Sequence, residues 1–212
     1  MVDDELRLAD LTLPETNAAR AAWVVAGEYC SPALLNHSVR SYVWAVALAR
    51  AERIEFDAEL LYVAAVLHDI GLVVEFDSHT LPFEEAGGHV AGVFAAGAGW
   101  SVQRRRRLLE IIVRHMWSEV DPAADPEGYL LEASTGVDIS GRGVDRIGAG
   151  LRAEVLARWP RLDLAQEFIG RFDEQARRKP GCAAAAAVRG GIAERIRRNP
   201  LDEPENFARI GR

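Results

Sequence analysis

The sequence predicts an all-α fold arranged as a single-domain helical bundle. Three observations lead there. Strand signals are scarce, because β-branched residues are scattered and rarely alternate with polar ones. Helix-start residues recur ahead of apolar stretches, at Ser31-Pro32, Asp57, Pro82 and Ser101. A chain of 212 residues with 49% hydrophobic content is long for one domain, short for two, and able to bury a sizeable core.

Taken in order, Pro14 opens a first helix with Glu15 in its first turn, running to about Gly27. Ser31-Pro32 restarts the chain into a long helix from about Ala33 to Arg53. Asp57 caps a helix that ends at Gly71, where glycine suits a C-terminal stop. Pro82 begins the segment Phe83 to Ala98, and Ser101 caps a helix through Arg114 and His115. After the Pro- and Asp-rich turn from Asp121 to Pro126, a short helix leads to Asp138. Helices then run from Gly148 to about Trp159, from Asp163 to Arg178 and from Cys182 to Arg197. The expected total is roughly eight to ten helices. The domain core spans about residues 14–178, and 199–212, with two prolines, forms an irregular tail.

Net charge is −7 and the positive charge is almost all arginine, Lys179 being the only lysine. That balance argues against nucleic acid and against an anionic membrane surface as partners. It also leaves a catalytic lysine a single, poorly placed candidate. Cys30 and Cys182 are too few and too far apart for a disulfide scaffold or a thiolate zinc knuckle, and read as reduced, partly buried thiols. The acidic start Met1-Val2-Asp3-Asp4-Glu5 lacks the pattern of a signal peptide. The longest apolar run, Leu60 to Leu67, is too short to span a bilayer. A soluble cytoplasmic protein is expected, with a small-molecule substrate and homo-oligomerisation left open.

The chemistry concentrates at His68-Asp69, an imidazole and a carboxylate side by side near the end of an apolar helix. Such a pair is costly to bury unless a cation holds it. The short connection from Arg53 to Asp57 makes the flanking helices antiparallel neighbours, which puts His37 at the same end as His68. Asp138 follows a separate helix and lies between Gly136 and Gly141, in an expected ligand-bearing loop; Asp145 is the competing carboxylate. Two imidazoles and two carboxylates suit zinc, iron(II), manganese or nickel better than calcium. A single divalent ion is expected, zinc foremost. His89 and His115 fall between the doublet and Asp138, and offer a second metal site or groups that bind and protonate a substrate.

Each of these residues has an ordinary reading too. A lone His37 would be a core histidine and Asp138 a turn aspartate; the doublet tips both towards metal. Arg40, one turn from His37, suits an anionic substrate or a helix-surface ion pair. Glu84 and Glu85 suit groups that orient a ligand or water, or simply the acidic start of a helix. His79, in a polar loop, reads as solvated. Arg104 to Arg107 points all round a helix and reads as a solvated face. Trp44, Met116 and Trp117 read first as core.

The order His37, His68-Asp69, Asp138 resembles the HD-domain superfamily of metal-dependent hydrolases, and more finely its cyanamide-hydratase-like branch. Asn36 to Trp44 resembles the first motif, Leu67 to Leu72 the doublet motif, Phe83 to Gly87 the F-E-x-x-G segment, and Thr135 to Gly141 the last ligand motif. Trp159-Pro160-Arg161 followed by Phe168 is similar to the tail, so the resemblance spans Pro14 to Phe172. It implies a helical fold in which those four residues hold the ion. Leu72 stands where many HD phosphohydrolases carry lysine, and His115 is followed by Met116-Trp117 rather than threonine. His89 stands where the branch has a small polar residue.

The expected activity is addition of metal-activated water to a small molecule such as a cyanamide-like nitrile, with His115 or Glu84 moving protons. The alternative is phosphohydrolysis of a nucleotide or phosphomonoester, with Arg40 or Arg114 balancing the developing charge. An inactive metal-binding regulatory module is the alternative of another class.

Overall fold

The computed structural model describes residues 6–202. Among these there are no strands, and the expected all-α, single-domain architecture holds. The described residues form ten α-helices: α1 (Asn17–Tyr29), α2 (Pro32–Glu52), α3 (Ala58–Leu67), α4 (Phe83–Gly97), α5 (Val102–Arg114), α6 (Pro126–Ser140), α7 (Ala149–Arg158), α8 (Leu164–Arg178), α9 (Ala183–Arg189) and α10 (Ile192–Arg197).

Helix α2 is the axis of the fold. Its N-cap Ser31 Oγ accepts from the Leu34 amide, Pro32 occupies the first turn, and Arg53 closes it in a left-handed conformation. Every residue from His37 to Ala49 is buried, polar ones included. Helices α3 and α6 pack along it, and α8 crosses near its start. Helix α3, capped by Asp57, is buried continuously from Leu60 to Leu67. Helix α4 packs on α5 and on the short 3-10 turn Ile70–Leu72. Helices α8, α9 and α10 form the C-terminal layer, with α10 also touching α6.

Several element boundaries differ from the sequence expectation. Helix α1 starts at Asn17, not Pro14, because Thr16 Oγ1 caps it by accepting from Ala19, and Gly27 lies inside it. Helix α3 stops at Leu67 instead of Gly71. His68 Nδ1 takes the Ala65 carbonyl at 2.7 Å, an acceptor that a continuing helix would use for the Asp69 amide. The chain then tightens so that Gly71 can touch α4: a Cβ on Gly71 would lie 2.1 Å from the Phe83 carbonyl oxygen. Gly190 and Gly191 divide the expected last helix into α9 and α10, Gly191 having φ 76°. Of the expected irregular tail, Pro200–Asp202 is a 3-10 turn, and residues 203–212 lie outside the described residues.

The largest difference concerns α6. It runs past Gly136 to Ser140, with the left-handed Gly141 as its stop, so Asp138 sits in a buried helical turn rather than a loop. Gly136 does not break the helix; it makes room for Arg142, whose guanidinium would lie 2.3 Å from a Cβ there.

Candidate metal centre

The antiparallel pairing of α2 and α3 places His37 against the end of α3. His37 Nε2 lies 3.2 Å from His68 Nε2 and 3.3 Å from Asp69 Oδ2, and His68 Nε2 lies 3.1 Å from the same oxygen. One ligand atom from each of His37, His68 and Asp69 falls within a 4.8 Å cluster, and all three residues are buried.

The other ring nitrogens settle the tautomers. His68 Nδ1 faces the Ala65 carbonyl and His115 Nδ1 faces the Ile112 carbonyl, so both must carry the proton there. His37 Nδ1 faces the Asp138 carboxylate at 2.7 Å and donates to it. In the neutral rings, the Nε2 atoms therefore present lone pairs. Those of His37 and His68 converge on a carboxylate that has no hydrogen-bond partner on either oxygen. Burial by itself would push Asp69 up; positive charge on the facing His68 and His37 imidazoles would outweigh it and hold the carboxyl well below the usual carboxylate range, whereas the neutral rings offer it none. Three acceptors crowded together without a proton repel one another unless a cation lies between them. Donors about 2.0–2.2 Å from one ion stand roughly 3.3–3.6 Å apart at tetrahedral angles and about 2.8–3.1 Å apart at right angles, so the observed 3.1–3.3 Å fits a shared divalent cation.

His115 closes the α5 end of this group. Its ring centroid lies 4.8 Å from that of His68, and its Nε2 is 3.8 Å from Asp69 Oδ1. Burial first, then the neighbouring His68, lowers its pKa to about 3, which keeps the ring neutral.

Asp138, the expected fourth ligand, lies on the other side of the His37 ring and is not among the three converging residues. Its Oδ1 accepts from Arg40 Nε and Trp44 Nε1, each at 2.8 Å, and its Oδ2 accepts from Arg40 Nη2 and His37 Nδ1, each at 2.7 Å. Burial pushes this carboxyl up, and Arg40 more than reverses it, leaving Asp138 well below the ordinary range. Arg161 and Asn199 donate to the Asp138 main-chain carbonyl near the end of α6.

Other expected residues are not brought to the centre. Arg40 is fully buried and its remaining nitrogen donates to the Trp159 and Pro160 carbonyls, so its guanidinium is engaged and does not reach a substrate. His89 is exposed on α4. Two residues past Gly87, which packs against Gly71, it is turned about 200° to the opposite face. It therefore cannot complete a second metal site with His115. Glu84 is buried, its Oε2 has no partner, and burial foremost raises its pKa, yet it does not line the cavity over the metal centre. Asp145 and His79 are exposed. In the Arg104 to Arg107 run, Arg104 pairs with Asp57 and Glu59, and Arg107 with Asp125 and Glu127. Arg114 pairs with Asp125.

The centre forms the inner end of a cavity of about 860 Å³. Sequence reasoning missed Glu132, Arg142 and Phe172 in its wall, and gave Trp44 no polar role. Only the aromatic pair one turn apart on α8, Phe168 and Phe172, carried a visible signal, as an apolar stripe.

The HD domain family profile matches residues 34–132, a span holding His37, His68-Asp69 and His115. Over that span the chain is similar to the HD-domain family. The chain is also similar to two yeast proteins, Cyanamide hydratase DDI2 and Cyanamide hydratase DDI3 of Saccharomyces cerevisiae (strain ATCC 204508 / S288c). Each is 28% identical over 171 residues, 79% of this chain and 76% of the relative. These matches support the cyanamide-hydratase-like branch, and with it a metal-dependent hydrolase or hydratase. No helix among the described residues is long and apolar enough to cross a membrane.

Proposed function

We propose that this HD-domain enzyme hydrates the electrophilic carbon of a nitrile-type small molecule, cyanamide-like in its reacting group. The observation that carries the reading is the convergence of the His37 and His68 lone pairs on the partnerless Asp69 carboxylate at the inner end of a large cavity. His37, His68 and Asp69 would hold a divalent ion, zinc by preference, with iron(II), manganese or nickel also matched by the donor set. Such an ion supplies Lewis acidity, polarising the substrate and making water a better nucleophile at neutral pH.

The chain's own groups do the rest. His115 presents its Nε2 lone pair beside Asp69 Oδ1 at the cavity's inner end. It takes a proton from the attacking water and returns it to the nitrile nitrogen; the C–O bond forms as one C≡N π bond opens, and tautomerisation gives the amide. For cyanamide that product is urea. Asp138 acts on His37 from behind, holding the Nδ1 proton so that Nε2 stays turned to the ion, while Arg40 and Trp44 hold Asp138. The proton-moving role falls to His115 rather than Glu84, which does not line the cavity.

Phosphoryl transfer is less well supported. It would need cations around the developing charge. Arg40 and Arg114 are engaged by Asp138 and Asp125, and the arginines that do line the cavity, Arg142, Arg195 and Arg198, sit at its exposed mouth. The regulatory-module reading is opposed by the intact ligand trio. The deciding experiment is a panel run on metal-loaded protein, with nitriles and cyanamide against nucleotides and phosphomonoesters. Urea from cyanamide is expected; phosphate release without nitrile turnover would overturn the reading.

A further inference from the structure

We infer that the substrate carries a neutral apolar body beyond the reacting carbon, so that a substituted cyanamide or an organic nitrile is preferred to parent cyanamide. This rests on the hydration reading above. At about 860 Å³ the cavity falls within the range of roughly 300–1,000 Å³ typical of pockets that enclose drug-sized ligands. A molecule of three heavy atoms, roughly twice the volume of a water occupying about 30 Å³, would leave most of it filled with solvent.

The wall beyond the metal centre is built for an apolar group. Phe168 and Phe172 lie together with ring centroids 4.5 Å apart and planes tilted by 37°, and the Phe168 ring lies 5.8 Å from that of His37, so an aromatic wall begins where the ligands end. Helix α9, packed on α8, adds Ala183, Ala186 and Ala187 to the wall, side chains small enough to leave the space open. The cationic groups of the outer cavity are already engaged. Arg142 pairs with Glu132, Arg198 donates to Glu194 at 2.7 Å, and Arg195 donates to the Gly190 carbonyl at 2.6 Å. These arginines lie at the exposed mouth, away from the aromatic wall, whereas an alkyl or aryl group buries directly against that wall.

The test compares cyanamide, phenylcyanamide and benzonitrile with metal-loaded enzyme, and follows ligand binding to metal-free protein by saturation-transfer NMR. The aryl compounds should exceed cyanamide at least tenfold in kcat/KM. They should take up saturation from the metal-free protein, and that transfer should be lost in the Ala187→Trp variant. Ala187→Trp, and independently Ala183→Phe, should lower the aryl-to-cyanamide ratio of kcat/KM at least tenfold. A preference for cyanamide, or a ratio unmoved by both filling variants, overturns this inference while hydration stands. If no nitrile or cyanamide is hydrated, the proposed function falls and this inference with it.

Discussion

Asp138 Oδ2 lies 2.7 Å from His37 Nδ1, on the far side of the imidazole from the nitrogen that faces His68 and Asp69. The carboxylate is thereby linked to the metal centre through one ring, and to the scaffold through Arg40 and Trp44. Asp138→Asn should lower metal affinity by about 10–100-fold, the usual cost of removing a group that orients a ligand histidine. It should also destabilise the metal-free protein by about 3–5 kcal/mol, because Arg40 is left buried beside a neutral partner. Metal titration and urea unfolding measure the two effects. Loss of all metal binding, as for a direct ligand, would contradict the arrangement.

His68→Ala removes a converging lone pair and frees the Ala65 carbonyl at the end of α3, leaving the rest of the helical scaffold in place. Metal retained after gel filtration should drop to background, turnover should vanish, and the far-UV helical signal should stay. Metal analysis and circular dichroism on the same sample give the answer; full activity in the variant would exclude His68 as a ligand.

Asp69→Asn should act in opposite directions on the two forms of the protein. The amide can donate to the Nε2 lone pairs that now meet only an ionised, partnerless carboxylate. The metal-free variant should therefore be more stable than the metal-free wild type by about 1–3 kcal/mol. Added zinc should raise the melting temperature of the wild type and not of the variant. A less stable metal-free variant would refute the crowding of acceptors.

Gly71→Ala should be among the most damaging single changes outside the centre. The new methyl would meet the Phe83 carbonyl at 2.1 Å and the Gly87 nitrogen at 2.7 Å, both backbone atoms that cannot swing aside. The cost should reach or exceed the 1–3 kcal/mol usual for overpacking. Because Gly71 follows the doublet by two residues, metal affinity should fall with it. Thermal unfolding with and without metal is the measurement.

Acid should weaken the junction between α5 and α6. Burial raises Asp125, but Arg107, Arg114 and the Gly128 amide outweigh it, so its folded pKa lies below the ordinary carboxylate value. A group depressed in this way stabilises the fold above its unfolded pKa of about 3.9, and that contribution is lost as pH falls through the lower folded value. Asp125→Asn should therefore be less stable than wild type at pH 6, with the gap closing towards pH 2. Denaturant unfolding of chelator-treated protein across that range tests it; a gap that widens in acid would reverse the sign.

The sequence was most readable where function and local pattern coincide. Ser31, Asp57 and Ser101 cap helices through their own side chains, and the short Arg53 to Asp57 link implied the antiparallel pair that joins His37 to His68. It misled where a residue has a second partner far along the chain. Gly136 resembled a helix break because nothing nearby reveals that Arg142 folds over it. Arg40 resembled an anion receptor because its partners, Asp138 and the Trp159 and Pro160 carbonyls, are about a hundred residues away or more. His89 resembled a ligand by type, and only the packing of Gly87 on Gly71 turns it outward.

Helical periodicity, caps and the adjacent His68-Asp69 pair are local properties, dictated by backbone geometry and side-chain chemistry within a few residues, and they were enough to define an all-α metal-binding protein. Which nitrogen of each histidine bears its proton, which carboxylate stands bare and which is clamped by arginine, and how much room lies beyond the metal centre depend on contacts between helices distant in the chain. Those features emerge only when α2, α3, α5, α6 and α8 close around one another, because burial removes the water that would otherwise satisfy every one of these groups.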